Sequence, residues 1–153
     1  MKAQLSDFVP GRVLYHVYGV NRKNTVVDES EINKLIITSH PYEVELCGSQ
    51  KYLFVKLINC YIDCSGKESS YKTESSLNDM GVDTGNKRSV YNLNRAYTSK
   101  EAAMKFLAEL KADKFSDPVD QAYAEGFTPE DQERERQEMM EIDSYYGCGE
   151  YDY

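Results

Sequence analysis

Four cysteines stand at positions 47, 60, 64 and 148, and two histidines at 16 and 40. Cys60-x-x-x-Cys64 has a spacing a metal could use, but a structural zinc site needs about four thiolate or imidazole ligands. Cys47, Cys148, His16 and His40 are scattered and offer no second pair. The cysteines therefore read as free thiols of a reducing compartment, and no metal is expected. Ser65-Gly66-Lys67 ends like a phosphate-binding loop, yet Tyr61 stands where the first glycine belongs and Glu68 where a hydroxyl should hold magnesium. Asp79-x-x-x-Asp83 opens like a calcium loop, but Thr84 replaces the required glycine and Val90 the terminal glutamate. A nucleophile needs a base beside it. His16 falls in a strand-like run and His40 in a Ser-His-Pro turn, and an enzyme built from His40 and the cysteines would need a spatial convergence that spacing does not show. Glu43 and Glu45 share one face of a strand and read as solvent-facing. No catalytic residue and no cofactor is assigned, and the chain is expected not to be an enzyme.

Charge carries more information. The 153 residues are 41% apolar and 29% charged, with a formal charge of −8. That is enough apolar content for one packed domain. Residues 1–115 hold sixteen basic and fourteen acidic side chains, whereas residues 116–153 hold two basic (Arg134, Arg136) and twelve acidic. The negative charge thus belongs to the last quarter, and blocks of this kind mark a solvated face or an interaction tail. Aromatic residues are lopsided too, with 13 Tyr, 5 Phe and no Trp. Tyr145, Tyr146, Tyr151 and Tyr153 stand among acids, and tyrosine brings large contact area at low entropic cost. Glu130, Asp131, Glu133, Glu135, Glu138, Glu141 and Asp143 complete an acidic, Tyr-rich surface suited to a basic groove on a protein partner. The eight tyrosines before Thr98, interleaved with Arg12, Arg22, Lys23, Lys51 and Lys56, allow an alternative: a single-stranded nucleic-acid-binding body with an acidic tail. Against it, a charge of +2 over 115 residues is a poor electrostatic footprint, and core packing accounts for most of these tyrosines.

These residues need elements to position them. Arg12–Val20 alternates β-branched and aromatic residues and predicts a strand. Val26-Val27 starts another that Asp28-Glu29-Ser30 interrupts, and Ile32–Thr38 is β-rich until Ser39-His40-Pro41 stops it. Tyr42–Leu46 and Lys51–Ile62 predict a hairpin. Ser65–Arg88 reads as an exposed excursion tacked down by Leu77, Met80 and Val82, and Val90–Tyr97 as a last strand. Thr98-Ser-Lys-Glu101 fits a capping box ahead of a helix over 99–114, whose apolar face is Ala102, Ala103, Phe106, Leu107 and Leu110. Asp117-Pro118 and Thr128-Pro129 begin two further helices, the first closed by Gly126. The second is supported by Glu130 and Arg134, four apart. Its first half has no apolar residue, whereas Met139, Met140, Ile142, Tyr145 and Tyr146 supply a later apolar patch.

Asp79-Met-Gly-Val82 and Tyr91-Asn-Leu-Asn-Arg-Ala-Tyr-Thr-Ser-Lys-Glu-Ala-Ala103, with the helix start Tyr97-Thr-Ser-Lys-Glu-Ala102, resemble small accessory proteins of tailed bacteriophages. The resemblance transfers no catalytic residues. It implies a protein that binds and redirects a host or defence protein.

The expected fold is α+β: a small antiparallel β-sheet or partly closed barrel of four to six strands, packed by one amphipathic helix (residues 1–115), then an acidic helical extension (116–153). The expected function is a phage-type inhibitor or modulator of a bacterial nucleic-acid-handling or defence protein, acting in the host cytoplasm. No apolar run approaches the ~18 residues of a membrane span, and Met1–Pro10 predicts no signal peptide.

Overall fold

The computed structural model describes residues 1–45, 51–84 and 92–150, without the side chains of 143–150. Among the described residues, six strands form one antiparallel sheet: β1 (Val13–Val17), β2 (Ile32–Ile37), β3 (Tyr42–Glu45), β4 (Lys51–Ile62), β5 (Glu68–Ser76) and β6 (Arg95–Tyr97). β1 lies between β2 and β6, and β2 and β3 follow one another along the same flank of β4. The opposite flank of β4 carries β5. The sheet is open, not a barrel. Three helices follow it: α1 (Lys100–Ala112), α2 (Pro118–Gly126) and α3 (Pro129–Glu150).

Alternation sorts the strands onto two faces. On the first, Leu14, Leu35, Ile37, Val55 and Leu57 are closed over by Phe8 from the N-terminal segment and by Leu77, Met80 and Val82. On the second, Val17, Ile32 and Tyr97 pack under Phe106, Leu107 and Leu110 of α1, with Phe115 and Ala124 beyond. The expected hairpin is present, with Tyr42 opposite Phe54 and Val44 opposite Tyr52. Its loop, Cys47 to Gln50, lies outside the described residues.

Several expectations require correction. The excursion over 65–88 contains β5, nine residues paired with β4 from Phe54–Ser76 to Ile62–Glu68. Its Ser, Thr, Glu and Lys mask it as a loop because an edge strand with little to cover can be polar on both faces, and charges there discourage edge-to-edge aggregation. The final strand shortens to Arg95–Tyr97; residues 85–91 lie outside the described residues. Val26-Val27 starts no strand, for a single 3₁₀ turn at Glu29–Glu31 leads straight into β2. The cap of α1 is one residue later than expected: Ser99, not Thr98, accepts the Ala102 amide at 3.2 Å. The box motif reappears at α3, where the Thr128 hydroxyl accepts from the Asp131 amide and the Asp131 carboxylate from the Thr128 amide. That capping holds the Asp131 carboxyl below the usual carboxylate range. Arg134 pairs with Asp131 at 2.8 Å, not with Glu130.

Candidate functional site

The acidic quarter divides into a docked part and an exposed part. α2 begins at Asp117, whose side chain accepts the Val119 amide, and Pro118 occupies its first turn. Within it Asp120 and Ala124, four apart, both turn inward and are buried. Asp120 meets Arg95 of β6: Nε lies 2.9 Å from Oδ1, while Lys2 Nζ lies 2.8 Å from Oδ2. Arg95 is itself buried, and its Nη1 donates to the Asn94 carbonyl at 2.6 Å. Room for this guanidinium depends on Gly81, at φ +74°, where a Cβ would sit 2.8 Å from Arg95. Lys2 also holds Asp117 at 2.8 Å, and that contact keeps the Asp117 carboxyl below its ordinary range.

A second buried arginine grips the other end of α2. Arg22 lies in a 3₁₀ turn after β1 with φ +43°. Its guanidinium donates to the carbonyls of Ala124 and Phe127, which the helix end leaves without intrahelical partners, and to Asp113 Oδ1 at 2.8 Å. A cation there also complements the negative end of the helix dipole. Asp113 terminates α1 in a left-handed conformation at φ +56°, so one arginine joins the ends of two helices. From the sequence, Arg22 stands out only as one of the basic residues interleaved with tyrosine, and neither Arg95 nor Asp120 is given a role. The available signal was Asp120 in register with Ala124 on one helical face, since a carboxylate on a buried stripe requires a buried cation.

α3 is held differently. Beyond its capping box, the Gln132 side chain donates to the Val20 carbonyl. From residue 133 to residue 142 every side chain is exposed, including Met139 at 55%, Met140 at 65% and Ile142 at 49%. At 1.5 Å per residue the helix is about 33 Å long. It carries Glu130, Asp131, Glu133, Glu135, Glu138 and Glu141, with Arg136 beside Glu133 at 3.6 Å. Met139 and Ile142 share a face; Met140 lies on another. Asp143, Tyr145 and Tyr146 fall within α3, but their side chains lie outside the described residues, as do Tyr151 and Tyr153 entirely.

The exposed tyrosines and the exposed lysine row of the sheet fall on opposite faces. Tyr52 and Tyr97 are core, and burial raises the Tyr97 hydroxyl pKa well above its ordinary value. Tyr18 and Tyr71 are exposed on the first face of the sheet with Tyr61, whose ring meets Tyr71 edge-on at 5.7 Å. Beneath them lie buried Asn59, which donates to the Tyr71 hydroxyl, and His16, stacked edge-on against Tyr18 at 4.4 Å. Burial lowers the His16 pKa to about 4, so its imidazole is neutral in the fold at pH 7. Lys34, Lys56 and Lys72 occupy the opposite face, where Tyr15 and Tyr42 are half-buried and Lys56 covers the Tyr42 ring. Of the basic residues interleaved with tyrosine, Arg22 is consumed by the helix clamp, Arg12 pairs with Asp7, and Lys51 lies beside Glu43.

Cys60 is half-buried and Cys64 exposed, both as free thiols. No group of three or more His, Cys, Asp or Glu is placed to hold a metal among the described residues. None of the described helices is long and apolar enough to cross a membrane.

The model of the Phage g100-like protein family matches residues 2–110, and the chain belongs to that family. The match takes in all six strands and α1 as far as Leu110, and stops before the acidic quarter. No curated protein and no solved structure matches the chain.

Proposed function

We propose that this Phage g100-like protein is a non-enzymatic protein-binding module, a phage inhibitor or modulator of a bacterial nucleic-acid-handling or defence protein. Its contact surface is α3 and the residues after it, offered to a partner with a basic groove in the host cytoplasm. The observation that carries this reading is the unbroken exposure of residues 133–142 on a helix whose hydrogen bond to the body, from Gln132 to Val20, lies at its first turn. A solvated helix with exposed acids and two exposed methionines cannot owe its existence to packing on its own domain. Methionine adapts to irregular apolar surfaces, and the surrounding carboxylates speed encounter with a basic partner and fix its orientation.

The single-strand reading has less support. Stacking platforms need bases and phosphates to meet aromatic and basic side chains on one surface. Here the exposed tyrosines Tyr18 and Tyr71 and the lysine row lie on opposite faces of the sheet.

Affinity capture from bacterial lysate, with and without nuclease, tests the proposal. The full chain should retain one stoichiometric protein after nuclease treatment, and Glu133→Lys/Glu135→Lys/Glu138→Lys should lose it while keeping the circular dichroism of a folded body. A captured set that vanishes with nuclease, or capture unchanged by the charge reversal, would contradict it.

A further inference from the structure

The α1-bearing face of the sheet is half empty. A helix is about 10 Å across and strands are about 4.8 Å apart, so one helix covers two strands. α1 lies over β1 and β6, and its contacts thin out at β2. Beyond it the same face of β2 and β4 carries Ile36 opposite Ile58, both half-buried with no described helix packed on them, while β5 adds polar residues such as Lys72. A groove of about 560 Å³ opens there, lined by Thr38, Lys56, Ile58, Lys72 and Glu74. Lys34, Lys56 and Lys72 rim this strip, all exposed, and make no ion pair among the described residues. Of the acids beside them, Glu74 already accepts the Tyr42 hydroxyl, Glu29 pairs with Lys100, and Asp28 and Glu68 line the neighbouring groove with Lys34. The strip has the width of one helix, an apolar floor and a positive rim.

We propose that this strip is the seat for α3 of a second copy of this chain, so that two copies exchange their acidic helices. α3 supplies the complement: Met139 and Ile142 on one face for the isoleucine floor, with Glu135, Glu138 and Glu141 around them for the three lysines. The helix of the same copy does not fill the seat, because its residues 133–142 are exposed while its first turn is tied to Val20. Reciprocal exchange closes with twofold symmetry, so each copy gives one helix and receives one and no filament grows. The same helix serves the partner contact proposed above, and the dimer would hold it covered until a partner competes for it. The exchange itself needs no partner.

Sedimentation equilibrium of the purified full chain tests the exchange. The wild type should be a dimer that weakens as salt rises. Lys34→Glu/Lys56→Glu/Lys72→Glu and, separately, Glu135→Lys/Glu138→Lys/Glu141→Lys should each weaken it by about tenfold or more, with circular dichroism confirming folded bodies. An equimolar mixture of the two variants should recover the dimer, since each helix then meets a face of opposite charge. A monomeric wild type, or a mixture that stays monomeric, would overturn the proposal. So would a monomer that binds single-stranded oligonucleotides and loses them with the lysine reversal, which would give the face to nucleic acid. None of these outcomes depends on capture of a host protein.

Discussion

α2 and α3 are neighbours in one acidic block, begin alike with a polar cap followed by proline, and end up in opposite situations. In α2 the decisive acid, Asp120, is buried between Arg95 and Lys2, and the helix end is gripped by Arg22. In α3 the acids from Glu133 to Glu141 are exposed. A block of negative charge therefore does not decide whether a segment is a tail. What decides is whether its carboxylates find buried cations to pair with, as Asp120 finds Arg95.

The sharpest way to break the comparison is to remove the cation. Arg95→Ala leaves Asp120 buried without its guanidinium and should cost about 3–5 kcal/mol, a loss that chemical denaturation would register as a large fall in midpoint. A loss below about 1 kcal/mol would mean that α2 is held by apolar contact alone. Next in size is a pH effect that belongs to the body. His16 titrates near 4 in the fold and near 6.5 when unfolded, so the unfolded chain binds the extra proton between those values. Stability is then complete above about pH 6.5 and falls as pH drops toward 4, by about 3 kcal/mol in all. His16→Asn should flatten that slope, and changes in α3 should leave it untouched. Asp117, held low by Lys2, adds a further loss only at more acid pH. Smaller again is the cap of α1: Ser99→Ala should cost about 1 kcal/mol and Thr98→Ala clearly less, which urea titration of the two variants resolves. Smallest is Glu135→Gln in α3, expected within about 0.5 kcal/mol of wild type in the dilute monomer.

Much of this architecture can be read before any coordinates. The period-2 runs at Tyr42–Glu45 and Lys51–Ile62, the helical spacing of Ala103, Phe106, Leu107 and Leu110, and the Pro-marked starts of α2 and α3 all reflect local chemistry. β5 escapes because pattern reading looks for an apolar face and an edge strand need not have one. The arginine clamp escapes for a different reason. Arg22, Arg95 and Asp120 are separated by up to 98 positions, and only the fold brings them together; locally each resembles a surface charge. On α3 the exposure of Met139, Met140 and Ile142 agrees with the polarity of its first half, which leaves the helix no face to bury on its own domain. Pooling tyrosines with basic residues along the chain misleads, because alternation sends Tyr18, Tyr61 and Tyr71 to one face and Lys34, Lys56 and Lys72 to the other.

The contrast between the two helices reduces to a pair of truncations melted side by side, dilute and at high salt. Residues 1–127 keep α2 and should retain a cooperative transition within a few °C of the full chain. Residues 1–116 lose Asp120 and the carbonyls that Arg22 caps, leaving two buried arginines without those partners, and should melt far lower or not fold. Equal midpoints for the two truncations, or an unfolded 1–127, would contradict the division of the acidic quarter into a docked helix and an exposed one.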